Sequence, residues 1–417
     1  MTEAGGPTTG ASEAHGPTPA FDGLRGAACL IVVCSHLWTI VPDTWLAEHT
    51  GPFYGLFKSG SLGVTLFLVL GGFLVTRSLV VHQERAGSIG VLRFWGRRLL
   101  RLGPQLSLLV ITVLLVSRVD RWDEWSHPTT DRTLAGIATF RFNLGLANGD
   151  PAGYRPDLGH LWYLSMEQQV YFVWVAALAW LGRFRLTLMT LLVGSIAACY
   201  AWRASTWNAL GDAGWWRVSL HTFSRADALL VGCLAGLALP YVRPFIRAAR
   251  LVTAPALVTL VALVLYSADL DELAYLEGQG IAFVIVAAVL VLAIAVAADE
   301  GGIAERVLAT RPLRLLGTVS FSVFLWHLPV FWAASRWGST IDWAPRAVAT
   351  VAILAGIVTI TDRLVERPIG RWLHRPDPLF AAGAATPDPR PMADRSRPAG
   401  DTEERRSRRW QPVQSQA

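Results

Sequence analysis

The chain has 417 residues, of which 53% are hydrophobic and only 16% charged, where soluble domains carry roughly 25% charged residues. The apolar residues fall in blocks of about 18 to 23, the length that crosses ~30 Å of hydrocarbon. Composition therefore excludes a soluble multidomain enzyme and predicts an all-α, polytopic membrane protein. The net charge of +6 comes from arginines and a single lysine, Lys58. The arginines gather at segment ends and in the C-terminal tail, a pattern of membrane topology that argues against nucleic acid as a partner and for the lipid bilayer.

Taken in chain order, residues 1–19 hold neither a basic n-region nor an apolar h-region, so they read as a disordered tail without a cleavable signal, and the first span is expected to direct insertion. Apolar runs predict about ten spans: 23–42, 60–81, 102–117, 160–182, 186–202, 226–242, 251–267, 280–298, 315–335 and 345–365. The weakly apolar stretch 133–147 reads as a helix or re-entrant segment at the membrane surface. Residues 20–373 form the expected transmembrane domain, and 374–417 an Arg-rich disordered tail with no further domain expected after it. With the N-terminus inside, inner loops and tail hold 25 basic residues and outer loops 11, which predicts cytoplasmic termini by the positive-inside rule. Loop 268–279, with Asp269, Asp271, Glu272 and Glu277 and no arginine, fits the outer side. No internal repeat is evident, which weakens an inverted-repeat transporter reading.

A charged group in a spanning helix costs ~2.5–3.5 kcal/mol, so each such residue requires a partner or a purpose. Arg25 and His36 share one face of the first span, separated by ~16 Å along the axis. Each alone is compatible with a simpler role, a snorkelling anchor for Arg25 and a packing histidine for His36. Rise per residue places His36, Glu167 and His327 at one depth, two imidazoles and a carboxylate forming a polar chamber suited to proton transfer. At the inner mouth, Arg98 and Arg101 lie three apart on one helix face beside Arg97, and paired guanidiniums grip phosphate bidentately. Topological charge alone is an equal reading of those arginines. Asp362 and Glu366, at the inner end of the last span, are placed to pair with these arginines or with Arg25. Gly60, Gly63, Gly71 and Gly72 suggest close helix packing. The four cysteines, Cys29, Cys34, Cys199 and Cys233, lie in apolar segments, which implies no disulfide framework, and Cys29 reads as a small packing residue far sooner than as an acyl carrier. No metal-ligand spacing, nucleotide-binding loop or Gly-x-Ser-x-Gly elbow is present.

Six short motifs occur in order. They are Phe21-Asp22-Gly23-Leu24-Arg25-Gly26 leading to Ser35-His36; the Gly-rich run from Gly63 to Leu74; Arg98-Leu99-Leu100-Arg101 followed by Pro104; His160-Leu161-Trp162-Tyr163-Leu164-Ser165-Met166-Glu167-Gln168-Gln169; Leu316-Gly317 through Trp326-His327-Leu328-Pro329; and Val365-Glu366-Arg367-Pro368. Together they resemble the acyltransferase-3 family of integral-membrane O-acyltransferases, over roughly residues 20–373. Gln168 stands where the family usually has a second Glu, Gly71 where it has Ser, and Tyr163 where it has Ser.

The resemblance implies transfer of an acyl group, with acetyl the expected case, from acyl-CoA to a hydroxyl of a sugar, envelope glycan or secondary metabolite. Acyl-CoA enters as a co-substrate, and no bound cofactor or metal is expected. On this reading His36 is the general base, Glu167 orients it, and Arg25, Arg98 and Arg101 hold the donor or line its channel. His327, Glu366 and Ser165 are possible supporting residues. The arginine-rich, lysine-poor usage suggests a bacterium of high GC content, and hence a multi-pass protein of its cytoplasmic membrane. The alternative is a proton-coupled transporter or flippase using the same intramembrane His and Glu residues.

Overall fold

The computed structural model describes residues 18–121, 123–267, 278–297 and 302–373. The N-terminal tail, the acidic part of loop 268–279 and the C-terminal tail lie outside the described residues. Everything regular among the described residues is helical, with no strand.

Each of the ten apolar runs forms helix, and the boundaries follow local chemistry. Helix α1 (Pro19–Ser35) opens with proline in its first turn, where a missing N–H costs nothing, and ends with His36 at the C-cap. Helix α2 (Gly60–Ala86) stops at Gly87, whose φ of 73° is the left-handed closure that suits glycine. Helix α3 (Val91–Val119) carries Arg97, Arg98 and Arg101 within its length, beginning well before the apolar run at 102. There follow α4 (Trp162–Leu181), α5 (Arg185–Leu210), α6 (Thr222–Val242), α7 (Ile246–Tyr266) and α8 (Gly280–Val296). The ninth run is two helices, α9 (Arg311–Thr318) and α10 (Ser320–Trp337), bent by 75° at Val319. The last is α11 (Trp343–Thr361), which passes into a π-helical turn, Asp362–Glu366.

The expected ten spans are reduced when length and hydropathy are applied to these helices. Six helical stretches qualify as membrane-crossing, or seven when the bent α9–α10 pair counts as one. Helix α4 falls short because Glu167, Gln168 and Gln169 lower its hydropathy, and α8 because it has 17 residues. One qualifying stretch, Thr222–Tyr266, contains both α6 and α7. The chain is thus an all-helical, multi-pass membrane protein whose polar helix α4 is shielded by its neighbours.

Two glycine seams hold the bundle. A Cβ on Gly72 of α2 would stand 2.2 Å from the Leu229 carbonyl of α6, and one on Gly232 of α6 would stand 2.1 Å from the Val69 carbonyl of α2. Likewise Gly26 of α1 meets the Leu313 carbonyl of α9 at 2.1 Å, and Gly317 of α9 meets the Asp22 carbonyl of α1 at 1.8 Å. These contacts are possible only without side chains, so backbones approach and dispersion replaces the hydrophobic drive that lipid removes.

At one end of the bundle, the segment between α3 and α4 folds into a cap. The stretch expected as a surface helix, 133–147, is the end of one short helix, His127–Ala138, and most of another, Phe142–Asn148, separated by a reversal at Phe140 (φ 54°). Buried Arg155 fixes the cap through Asp157 (2.8 Å) and Asp123 (2.7 Å), with its guanidinium over the Trp125 ring at 4.3 Å. The cap delivers the turn Pro156–Leu161, and with it His160, to the head of α4.

Candidate active site

The structure brings two of the expected residues together at the C-terminal end of α1. His36 Nδ1 lies 2.8 Å from the Val32 carbonyl and 3.3 Å from His327 Nε2 on α10. His327 Nδ1 in turn lies 2.8 Å from the Phe324 carbonyl and 3.2 Å from that of Val323. Carbonyl oxygens only accept, so each Nδ1 carries the hydrogen. His327 Nε2 is then a lone pair, able to accept from His36 Nδ1–H. His36 Nε2 is also a lone pair, and it has no hydrogen-bond partner among the described residues. An imidazole whose far N–H is anchored and whose near nitrogen is bare has the tautomer of a general base.

His36 lines a cavity of about 750 Å³ that opens at the capped end. Its walls are largely aromatic, with Trp38, Trp162, Trp215, Trp216 and Trp332 among them. A third histidine, His160, also lines it, and was not singled out from sequence although it heads the quoted α4 motif. Its ring sits 4.9 Å from that of His327 and 5.1 Å from that of Phe324, centroid to centroid. The residue is 6% exposed, and neither ring nitrogen has a hydrogen-bond partner of good geometry among the described residues. Among those residues no group of His, Cys, Asp or Glu is arranged to hold a metal.

Glu167 is elsewhere. It accepts from Arg98 at 2.6 Å, from Gln168 at 3.0 Å and from the Tyr163 hydroxyl at 3.3 Å, and Arg98 also donates to Gln168 at 2.6 Å. The Arg98 guanidinium lies over the Tyr171 ring at 4.2 Å. Glu167 therefore makes no hydrogen bond to His36, contrary to the expectation from helical rise. The reason is the register of the two helices. Helix α1 ends at Ser35, so His36 stands at its terminus, while Glu167 lies more than a turn inside α4. Phe324 fills the interval, 5.4 Å from the Tyr163 ring and 5.9 Å from that of His327. Gln168, standing where the resemblance leads one to expect a second carboxylate, serves as a neutral partner to both members of the ion pair. Gly71 makes room for the group, since a Cβ there would meet the Tyr171 hydroxyl at 2.9 Å.

Arg101 is exposed and makes no ion pair among the described residues, though Arg25, Arg98, Glu366 and Glu167 lie within electrostatic range of it. Arg25 touches Asp22 at 3.4 Å. Glu366 does not ion-pair with these arginines. It accepts from Gln105 (2.7 Å) and Ser322 (2.9 Å), and Asp362 takes Arg367 (2.6 Å). Gln105 and Ser322 are a second pair that sequence reasoning missed, the only clue being that Gln105 follows Pro104. Ser165 is buried on α4 and hydrogen-bonds to none of these groups. Cys29 is fully buried with its thiol toward the Ser320 carbonyl, a packing position.

The sequence that carries this histidine pair and arginine cluster matches known proteins over most of its length. A family model described as an acyltransferase domain (Acyl_transf_3) matches residues 18–362. The chain belongs to the acyltransferase-3 family. It is 27% identical over 376 residues to the peptidoglycan O-acetyltransferase OatA of Listeria monocytogenes, covering 84% of this chain and 55% of that protein. It is 28% identical over 374 residues to the putative peptidoglycan O-acetyltransferase YrhL of Bacillus subtilis, covering 85% and 55%. The O-acetyltransferase OatA of Staphylococcus aureus is 26% identical over 366 residues, covering 84% and 57%. The chain thus spans little more than half the length of these relatives. No solved structure matches it.

Proposed function

We propose that the protein is a membrane O-acyltransferase that moves an acyl group, acetyl in the expected case, from acyl-CoA to a hydroxyl of a cell-envelope glycan. The observation that carries this reading is the anchored tautomer of His36 at the floor of an aromatic cavity. The relatives named above, each described as acting on peptidoglycan or as an O-acetyltransferase, support the acceptor class. Tryptophan walls suit it too, because sugar rings stack on flat apolar faces while their hydroxyls reach for polar groups at the floor.

By the positive-inside rule the capped end faces away from the cytoplasm, so the acceptor enters there and the thioester from the opposite side. Exposed Arg101 would take the donor's phosphates, with half-buried Arg25, held by Asp22, beside it. Arg98 is already committed to Glu167, which makes it a fixed positive wall of the passage. Tyr163 and buried Phe324 stand between these arginines and His36, so the thioester reaches the base only when the Phe324 ring moves aside.

The chemistry follows from the tautomer. His36 Nε2 takes the acceptor's hydroxyl proton as the oxygen attacks the thioester carbonyl carbon, and the carbonyl π pair moves onto its oxygen. The imidazolium so formed donates through Nδ1–H to Val32 and to His327 Nε2. When the intermediate collapses the C–S bond breaks, and the leaving sulfur takes the proton from Nε2. The products are the ester and free CoA, and His36 returns to its starting form. Placing an acid–base group in this way contributes roughly 10²–10⁴-fold to such a reaction.

The test has two readouts. Membranes containing the chain, given acetyl-CoA, should release free CoA thiol only when a glycan acceptor is added. Envelope glycans compared by mass with and without the gene should differ by acyl groups. Thiol release without an acceptor requirement, together with identical glycans, would exclude this function and favour a proton-coupled transporter.

A further inference from the structure

Acyl transfer needs a hydrogen-bond donor for the oxygen that becomes negative, as well as a base, and such donors carry much of the rate in water-poor sites. The usual source is a pair of free backbone N–H groups. Here the base stands at the C-terminal end of its own helix, where carbonyls rather than free N–H groups are presented, so side chains beside it are the donors to weigh. Most candidates lining the cavity are occupied. Lys58 is bound to Asp43, Arg155 to Asp157 and Asp123, Ser35 donates to the Val32 carbonyl, and Gln279 donates to the Leu263 carbonyl. Ser219 Oγ and His160 are not, and of the two it is His160 whose ring stands against that of His327. It is buried beside the His36–His327 pair, close to the Phe324 and Leu325 backbone, with neither ring nitrogen in a hydrogen bond of good geometry among the described residues.

We propose that His160 is a further catalytic residue, a neutral imidazole whose N–H donates to the oxyanion of the tetrahedral intermediate. The proposal rests on the acyltransferase reading above. A neutral ring has one N–H and one lone pair, so the donor is present without a positive charge. Neutrality is also what the neighbours demand. His36 becomes an imidazolium when it takes the hydroxyl proton, and a second cation in contact with the same His327 ring would repel it in a medium that screens poorly. His160 is therefore unsuited to be a second base and suited to be the donor. In the step itself the π pair of the thioester carbonyl moves onto oxygen, the His160 N–H hydrogen-bonds to that oxygen, and the pair returns as the C–S bond breaks. His160 gains and loses no proton.

The experiment compares membranes containing the parent chain, His160→Gln and His160→Leu at matched protein levels, by initial rates of glycan-dependent CoA release from acetyl-CoA. Gln keeps an N–H donor and Leu, of similar size, has none. His160→Leu should lose about 100-fold to 1,000-fold in kcat, the loss seen when one oxyanion donor is removed. The KM for donor and acceptor should each stay within about threefold, and His160→Gln should recover at least about tenfold of the lost rate, as expected if the interaction belongs to the transition state. A parental kcat in His160→Leu, a loss lying wholly in the acceptor KM, or equal losses in both variants would overturn the proposal while leaving the acyltransferase reading intact. Absence of glycan-dependent release in the parent would overturn both.

Discussion

His327 Nε2 stands 3.3 Å from the Nδ1 of His36, and the same Nδ1 is 2.8 Å from the Val32 carbonyl. In the proposed mechanism His327 thereby does for His36 what a carboxylate does in a hydrolase triad, but without a charge. It fixes which nitrogen is bare and accepts from the imidazolium once formed. A neutral acceptor suits this position, because His327 is fully buried and an anion there would require a cationic partner. His327→Ala should lower kcat roughly 10-fold to 100-fold with little change in acceptor KM, since the base remains while its orientation is lost. His327→Gln, whose amide oxygen can still accept, should recover part of the rate. Steady-state kinetics on membranes at equal protein content decides between these outcomes and a purely structural His327, for which both variants would lose protein rather than kcat.

Arg98 and Glu167 form a buried pair with 15% and 9% of their side chains exposed. Removing one partner leaves the other charge stranded, which costs about 3–5 kcal/mol. Glu167→Gln should therefore lower the detergent-solubilised melting temperature strongly, and Arg98→Met should do the same. The double substitution should be less damaging than either single change, because no unpaired charge is left. Equal melting of Glu167→Gln and the parent would show that the pair carries no stability.

His221 caps α6 by accepting from the Phe223 N–H through Nδ1 (3.2 Å), and its ring stacks on Trp202 at 4.8 Å. Burial, and then the nearby Arg217 charge, hold its pKa below the usual histidine value. The neutral ring is the one that can cap. Below about pH 6.5 the unfolded chain takes up a proton that the folded chain resists, so the cap's contribution, full above that pH, declines as pH falls toward the folded pKa. Melting temperature measured from pH 8 to pH 5 should fall at the acidic end. His221→Asn, which caps without titrating, should flatten that part of the curve. An unchanged slope would remove His221 from the acid response.

The helical, multi-pass class and the ten helix-forming runs were legible because each depends on composition and periodicity, which are local. His36 and His327, which the structure brings together, were conspicuous for a related reason: an imidazole deep in an apolar run is costly. The partner of Glu167 was not legible. Rise along a helix gives depth only if the helix ends are known, and α1 ends at Ser35, whereas the apolar run continues to residue 42. That difference moved Glu167 from His36 to Arg98. His160 escaped notice because it precedes α4 in a turn that only the cap positions, and Gln105 and Ser322, the partners of Glu366, because uncharged side chains carry little warning in sequence.

The seam between α1 and α9 gives a test of packing. Gly317→Ala places a methyl where the Asp22 carbonyl stands 1.8 Å away, so the backbones must separate. Overpacking of this kind costs about 1–3 kcal/mol. Because the displaced helix carries His36 at its far end, activity should fall with stability. Gly356→Ala on α11, with nothing within 4 Å of the added carbon, is the control and should melt and act as the parent does. Equal behaviour of the two variants would mean that the seam is not a constraint.

The central claim is that the bare Nε2 of His36 removes the acceptor's proton, and His36→Ala tests it most directly. Membranes containing this variant at parental protein levels should show glycan-dependent CoA release from acetyl-CoA lowered by at least about 100-fold. Release at the parental rate would contradict the account, because no other group in the site has, among the described residues, an anchored N–H on one side and an unpaired nitrogen facing the cavity on the other.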